Sequence, residues 1–146
     1  MTRDDIQNEV RKLVGAPWVH QGRNPATGID CIGVLVVVAK NLGLETYEKT
    51  DYSREPVGEL LVDEVRKYFE EIPISEAREG DVLILRTAGK RLPTHVAILT
   101  KGDREYNLVH SIQISTVRKT VEEPYRRWMR LVTHAFRFKS LQEDIT

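Results

Sequence analysis

Apolar residues recur at two different periods along this chain, near 3.6 in the first half and near two in the second. Ile6, Val10, Leu13 and Val14 lie at helical spacing behind Thr2 and Asp5, which have the Thr-x-x-Asp form of an N-terminal cap. Gly15-Ala16-Pro17 then stops the run. Residues 18 to 30 hold Gly22, Asn24-Pro25, Thr27 and Gly28 with almost no periodicity, and predict an ordered loop leading to Cys31. Over residues 31 to 42, Ile32, Leu35, Val36, Ala39 and Leu42 follow a helical face. Val34, Val37 and Val38 widen it until little is left for solvent. The β-branched run also permits a strand, but Lys40-Asn41-Leu42-Gly43 is a good helix ending, so a nearly buried helix is expected. Residues 47 to 58 read as irregular. Leu60, Leu61, Val65 and Tyr68 then predict an amphipathic helix closing near Glu71-Ile72-Pro73, where proline disfavours continuation.

Beyond that point the pattern is that of strands. Apolar runs at 82–85, 95–99 and 108–112, alternation over 115–121 and a final alternating stretch over 133–138 predict five of them, with a short helical turn within 124–131. Helices first and strands afterwards, joined by connections as short as residues 100–107, argue for an α+β fold with N-terminal helices packed on one antiparallel sheet. A length of 146 residues suits a single domain with its own core.

Composition narrows the function classes. Twenty-two basic and twenty-two acidic residues cancel, so no global field recruits nucleic acid or an anionic membrane, although Arg126-Arg127 and Arg137 to Lys139 make the last third locally basic. No apolar run approaches the length that spans a bilayer, and the start lacks a secretion signal. The expectation is a protein made in the cytoplasm that reaches any outside target by delivery or cell lysis. One cysteine allows neither an internal disulfide nor a multi-thiolate zinc site, and Gly15 to Gly22 lacks the spacing of a phosphate loop. No metal or cofactor is expected.

That single cysteine, Cys31, opens the second helix, directly after Asp30. A buried, inert side chain is the ordinary fate of a free cysteine. A seat at a helix start supports another reading, in which free N–H groups lower the thiol pKa from about 8.5 toward roughly 3.5–7.5 and help hold an oxyanion. A nucleophile needs a base, and the base needs a group to set its tautomer. His95, at the start of one strand, and His110, on the next, could stand together at one end of a hairpin facing Cys31. His134 reads as structural.

Trp18-Val19-His20-Gln21-Gly22, Gly28-Ile29-Asp30-Cys31-Ile32-Gly33, Gly80-Asp81-Val82-Leu83, His95-Val96-Ala97-Ile98 and Leu108-Val109-His110 resemble, in order, the motifs of NlpC-type cell-wall cysteine peptidases. The His-Gln pair after Trp18-Val19, the Glu71-Ile72-Pro73 lead and the ending Ala135-Phe136-Arg137-Phe138 are more similar to the branch encoded with phage tail and gene-transfer-agent genes. The resemblance implies a papain-like α+β fold and a triad of Cys31 as nucleophile, His95 as base and His110 as the orienter of His95. It implies hydrolysis of peptidoglycan stem peptides, often between γ-D-glutamate and diaminopimelate, and a phage-tail-like assembly as a partner. Trp18, His20 and Asp30 then fall at substrate-binding positions. Trp18 stands where tyrosine is usual, so a hydroxyl is lost and an indole N–H and flat face remain. Ile32 stands where serine is frequent, and the segment from His95 to His110 is longer than in the shorter members. Alternatives are a tail-tip or wall-binding module that grips peptide without cutting it, a thiol amidase or acyltransferase on another substrate, and an assembly protein whose cysteine is inert.

Overall fold

The computed structural model describes residues 1–44, 58–87 and 89–141. In chain order its elements are α1 (Arg3–Arg11), β1 (Arg23–Asn24), β2 (Gly28–Ile29), α2 (Cys31–Asn41), α3 (Gly58–Tyr68), β3 (Phe69–Ile72), β4 (Val82–Leu85), β5 (His95–Lys101), β6 (Tyr106–Ile114), β7 (Val117–Pro124) and β8 (Val132–Phe138). Short 3-10 turns occupy Ile74–Glu76, Tyr125–Arg127 and Met129–Leu131. Among the described residues no helix is long and apolar enough to cross a membrane.

Six strands form one antiparallel sheet in the order β3-β8-β4-β5-β6-β7. Alternation splits its side chains into two layers. Val82, Ile84, Val96, Ile98, Val109 and Phe136 face the three helices in the main core, while Leu83, Leu85, Ala97, Leu99, Leu108 and Ala135 form a second cluster on the far face. Trp128, Tyr125 and Leu131, from the turns before β8, cover that second cluster.

The N-terminal cap of α1 read from sequence is present. Thr2 and Asp5 exchange the two hydrogen bonds of a capping box at α1, which contributes about 0.5–2 kcal/mol. Asp30 caps α2, accepting from the Gly33 N–H at 2.8 Å, and α2 is buried on nearly every side, as its apolar width predicts.

The chain departs from expectation in four places. Val14 is 44% exposed because α1 ends at Arg11 and Val14 falls in the turn beyond it, and Leu60 is 77% exposed because the buried stripe of α3 runs Gly58, Leu61, Val62 and Val65 and leaves Leu60 off its edge. The helix ends at Tyr68 and the chain passes directly into β3, pairing Phe69 to Phe138 and Ile72 to Ala135. Phe69-Glu70-Glu71-Ile72 lacks alternation because it is an edge strand, with a solvated flank. The loop before Cys31 contains the β1–β2 ribbon. The irregular stretch expected over residues 47 to 58 lies, as far as residue 57, outside the described residues.

Candidate active site

Cys31 begins α2 because Asp30 is extended, at φ −101° and ψ −172°, and because the loop before it is locked. The Asp30 carboxylate also accepts from the Gln21 N–H at 2.8 Å and from the Arg23 guanidinium at 3.1 Å. Gly22 and Gly33 permit the close approach: a Cβ on Gly33 would stand 2.4 Å from the Gly22 carbonyl oxygen. From the other side, the Ser111 hydroxyl of β6 donates to the Ile29 carbonyl at 2.8 Å. The nucleophile candidate is thereby tied to the sheet that carries both histidines.

Cys31 and His95 line one cleft of about 270 Å³ together with Trp18, Asp30, Ser111 and Trp128. The Val96 backbone N–H acts on the Cys31 sulfur, so the first residues of β5 abut the first turn of α2. His95 Nε2 and His110 Nδ1 are 2.8 Å apart, and His95 Nδ1 is the ring nitrogen left for the cleft. The hairpin expected from sequence is present, with β5 and β6 paired from Ile98 opposite Val109.

The electrostatics correct one expectation. The Cys31 thiol is not activated at rest: burial, then the negative charge of Asp30, push its pKa up to about 12, against the backbone N–H groups of Val96, Ile32 and Cys31. Burial, and then the charge of His110, hold His95 well below the ordinary histidine range. Both shifts favour the neutral thiol and imidazole over a thiolate–imidazolium pair.

Two residues at this site were not singled out from sequence. Glu123, on β7, places Oε2 2.8 Å from His110 Nε2. His110 stands opposite Val121 in the β6–β7 ladder, so Glu123 is its diagonal neighbour on the same face. The alternation ended at Val121 in the sequence reading, and extending it by two residues would have found Glu123. Trp128 packs edge-on against His110, with ring centroids 4.7 Å apart, and 6.1 Å from His95. Its buried indole N–H meets no acceptor in good hydrogen-bond geometry but lies near enough to help hold the Glu123 carboxylate ionised.

The other expected residues divide. Trp18 and Asp30 are on the cleft wall, Trp18 half-buried with the Arg118 guanidinium 5.8 Å from its ring centre. His20 is half-buried and is not among the residues that line the cleft. His134 bonds to the Thr133 hydroxyl at 2.9 Å on β8, outside the cleft lining. Asp81, of the Gly80-Asp81 motif, is fully buried between Arg3 and Arg137 and joins α1 to β8. Among the described residues no group of three or more His, Cys, Asp or Glu side chains is arranged to hold a metal ion.

A thiol at a buried helix start, facing histidines on an antiparallel sheet, defines the papain-like α+β class. The NlpC/P60 family model matches residues 15–133, and the chain belongs to that family. It is similar to the NlpC/P60 domain of the peptidoglycan hydrolase SagA, at 23% identity and TM-score 0.66 over 93% of this chain and 98% of that one. It is also similar to an NlpC/P60 family protein from Bacillus cereus, at 21% identity and TM-score 0.70, and to NlpC1 from Trichomonas vaginalis, at 18% and 0.67. It covers 94% and 92% of its own length in these two, but only 40% and 44% of theirs. No curated protein matches.

Proposed function

We propose that this protein is a cysteine peptidase that hydrolyses peptidoglycan stem peptides through a thioester. The observation that carries the reading is that the only thiol shares one cleft with His95, itself hydrogen-bonded to the buried His110, in a chain of the NlpC/P60 family. The γ-D-glutamyl–diaminopimelate linkage is the bond the resemblance favours.

In this mechanism His95 Nδ1 takes the Cys31 proton as the sulfur attacks the scissile carbonyl. The Gly33 and Val34 N–H groups are engaged by Asp30, and those of Cys31 and Ile32, at the sulfur, receive the oxyanion. His95 then protonates the leaving amine. A water molecule, deprotonated by His95, attacks the thioester, and collapse of that second tetrahedral species returns the proton to sulfur and releases the acid. Trp18 offers a flat wall to the peptide. Asp30 places a carboxylate on the cleft wall, where a substrate ammonium would be attracted. Delivery through a tail-like assembly accompanies this reading on the resemblance of the Trp18-to-Gln21, Glu71-to-Pro73 and Ala135-to-Phe138 segments, and the neighbouring genes test it.

Digestion of purified muropeptides, with products separated by chromatography, tests the activity. Wild type is expected to cut and Cys31→Ala to be inert, and equal turnover by the two removes Cys31 as nucleophile. His110→Ala is expected to lose less activity than His95→Ala, because an orienter is less indispensable than a base. The raised thiol pKa favours one second reading, a module that grips stem peptide without cleaving it. Binding of muropeptides with no product from wild type would establish that reading instead.

A further inference from the structure

We infer that Glu123 is a positioning residue that fixes the tautomers of both histidines, and so determines that His95 presents a bare Nδ1 to Cys31. The inference rests on the reading of His95 as base and extends it by one residue along the sheet.

The argument follows from counting protons along the chain of contacts. A neutral imidazole carries one N–H and one bare nitrogen, and its partners decide which is which. An ionised carboxylate only accepts. Glu123 is held ionised below the usual carboxylate range, first by its hydrogen bond to His110 and further by Trp128 and Arg127, with Arg127 Nη1 3.9 Å from its other oxygen. His110 must therefore direct an N–H from Nε2 at Glu123, across 2.8 Å. At a pH where His110 has given up the positive charge that depresses His95, one proton remains on its ring and its Nδ1 is bare. His95 Nε2, 2.8 Å from that nitrogen, must supply the proton between them, and one proton on Nε2 leaves Nδ1 of His95 bare.

The opposite arrangement satisfies the histidine pair equally well. His110 Nδ1–H would then donate to a bare His95 Nε2, and His95 Nδ1 would carry the proton. That arrangement leaves a bare His110 Nε2 facing a carboxylate oxygen, two acceptors in contact in a site where His110 is fully buried, and presents the thiol with a donor that cannot take its proton. Nothing between Cys31 and His110 separates the two patterns. Glu123 is the group in the chain whose acceptor-only chemistry does. It sits on β7, at the opposite edge of the sheet from β3, and acts through two rings without touching substrate.

The test is nitrogen-15 NMR of protein labelled at histidine, at a pH where both rings are neutral, combined with turnover of muropeptides. In wild type, Nε2 of both rings is expected to be protonated and Nδ1 of both bare. Glu123→Leu fills similar volume without an acceptor, so the two patterns should mix, and kcat should fall in proportion to the fraction of His95 without a bare Nδ1, about twofold where the two patterns are equally populated, with KM little changed. Glu123→Gln, whose amide oxygen can still accept, should lie between wild type and the leucine variant in both measurements. A protonated Nδ1 on His95 in wild type overturns the inference without any variant. So does a leucine variant that keeps the wild-type tautomers. If the tautomers behave as stated while wild type cuts no muropeptide, the relay stands and the peptidase reading falls.

Discussion

The resting state of Cys31 can be read out by alkylation. At pH 8 a thiol with a pKa of about 12 is ionised to about one part in 10⁴, against about one part in four for a free cysteine near 8.5. The more basic thiolate is the better nucleophile. With a Brønsted slope of about 0.4–0.5, some 3.5 units of pKa return a factor of roughly 25 to 55. The net expectation is iodoacetamide labelling about 40- to 100-fold slower than free cysteine, before any effect of the thiol's burial. Intact-mass spectrometry over pH 6 to 10 follows the single adduct, since Cys31 is the only cysteine. The rate should rise steadily across the range without a plateau. Asp30→Asn should label faster at every pH, because Asp30 raises the thiol pKa through its charge while asparagine caps a helix as well as aspartate does. An inflection below pH 8 in wild type would refute the argument that burial outweighs the helix N-terminus here. Unchanged labelling in Asp30→Asn would refute the part assigned to its charge.

Three further outcomes follow from neighbouring contacts. In the proposed mechanism His95 acts as base in its neutral form, and its pKa is depressed by burial and His110, so kcat/KM should persist as pH falls through the ordinary histidine range and decline only below it; an acid limb at or above about 6.5 contradicts this. Gly33→Ala improves helix propensity by about 1 kcal/mol, yet its Cβ meets a backbone oxygen at 2.4 Å. Thermal unfolding should show a loss of about 1–3 kcal/mol, and an unchanged or higher Tm denies the close approach. Asp81→Ala leaves Arg3 and Arg137 without their shared buried partner and should cost about 3–5 kcal/mol in denaturant unfolding. A loss under 1 kcal/mol would show that the two arginines find other acceptors.

Most of the architecture was legible because it rests on local pattern. The α1 cap, the β4, β5 and β8 runs and the start of α2 are each specified within about ten residues. What escaped depended on partners distant in sequence. β3 is a strand because Phe138 and its neighbours lie alongside it, and no alternation marks it. The Cys31–His95–His110 grouping was legible as order and as resemblance, since one hairpin and one helix start suffice to bring it about. The charge state of the thiol was not. A helix N-terminus is visible in a sequence, whereas the depth at which tertiary packing buries it is not, and in this fold α2 is covered along almost its whole length. Glu123 lay two residues past the point where alternation faded, and only the pairing of β7 with β6 makes those residues neighbours of His110.

These features bear on one another through the sheet. In the proposed mechanism, where thiol and imidazole both favour their neutral forms, the proton moves as the sulfur attacks, when oxyanion formation at the start of α2 provides the driving force. That arrangement depends more heavily on the base presenting a bare nitrogen than an enzyme with a preformed thiolate would. In the latter the proton has already left the sulfur and the imidazolium carries protons on both nitrogens, so there is no tautomer to misplace. With a neutral imidazole, the wrong tautomer would block the first step. On that reading, burial of Cys31, which gives α2 its packing, makes the His110–Glu123 contact matter for chemistry, and Ser111, holding β6 to the chain before Cys31 at 2.8 Å, keeps the two ends of that dependence in register.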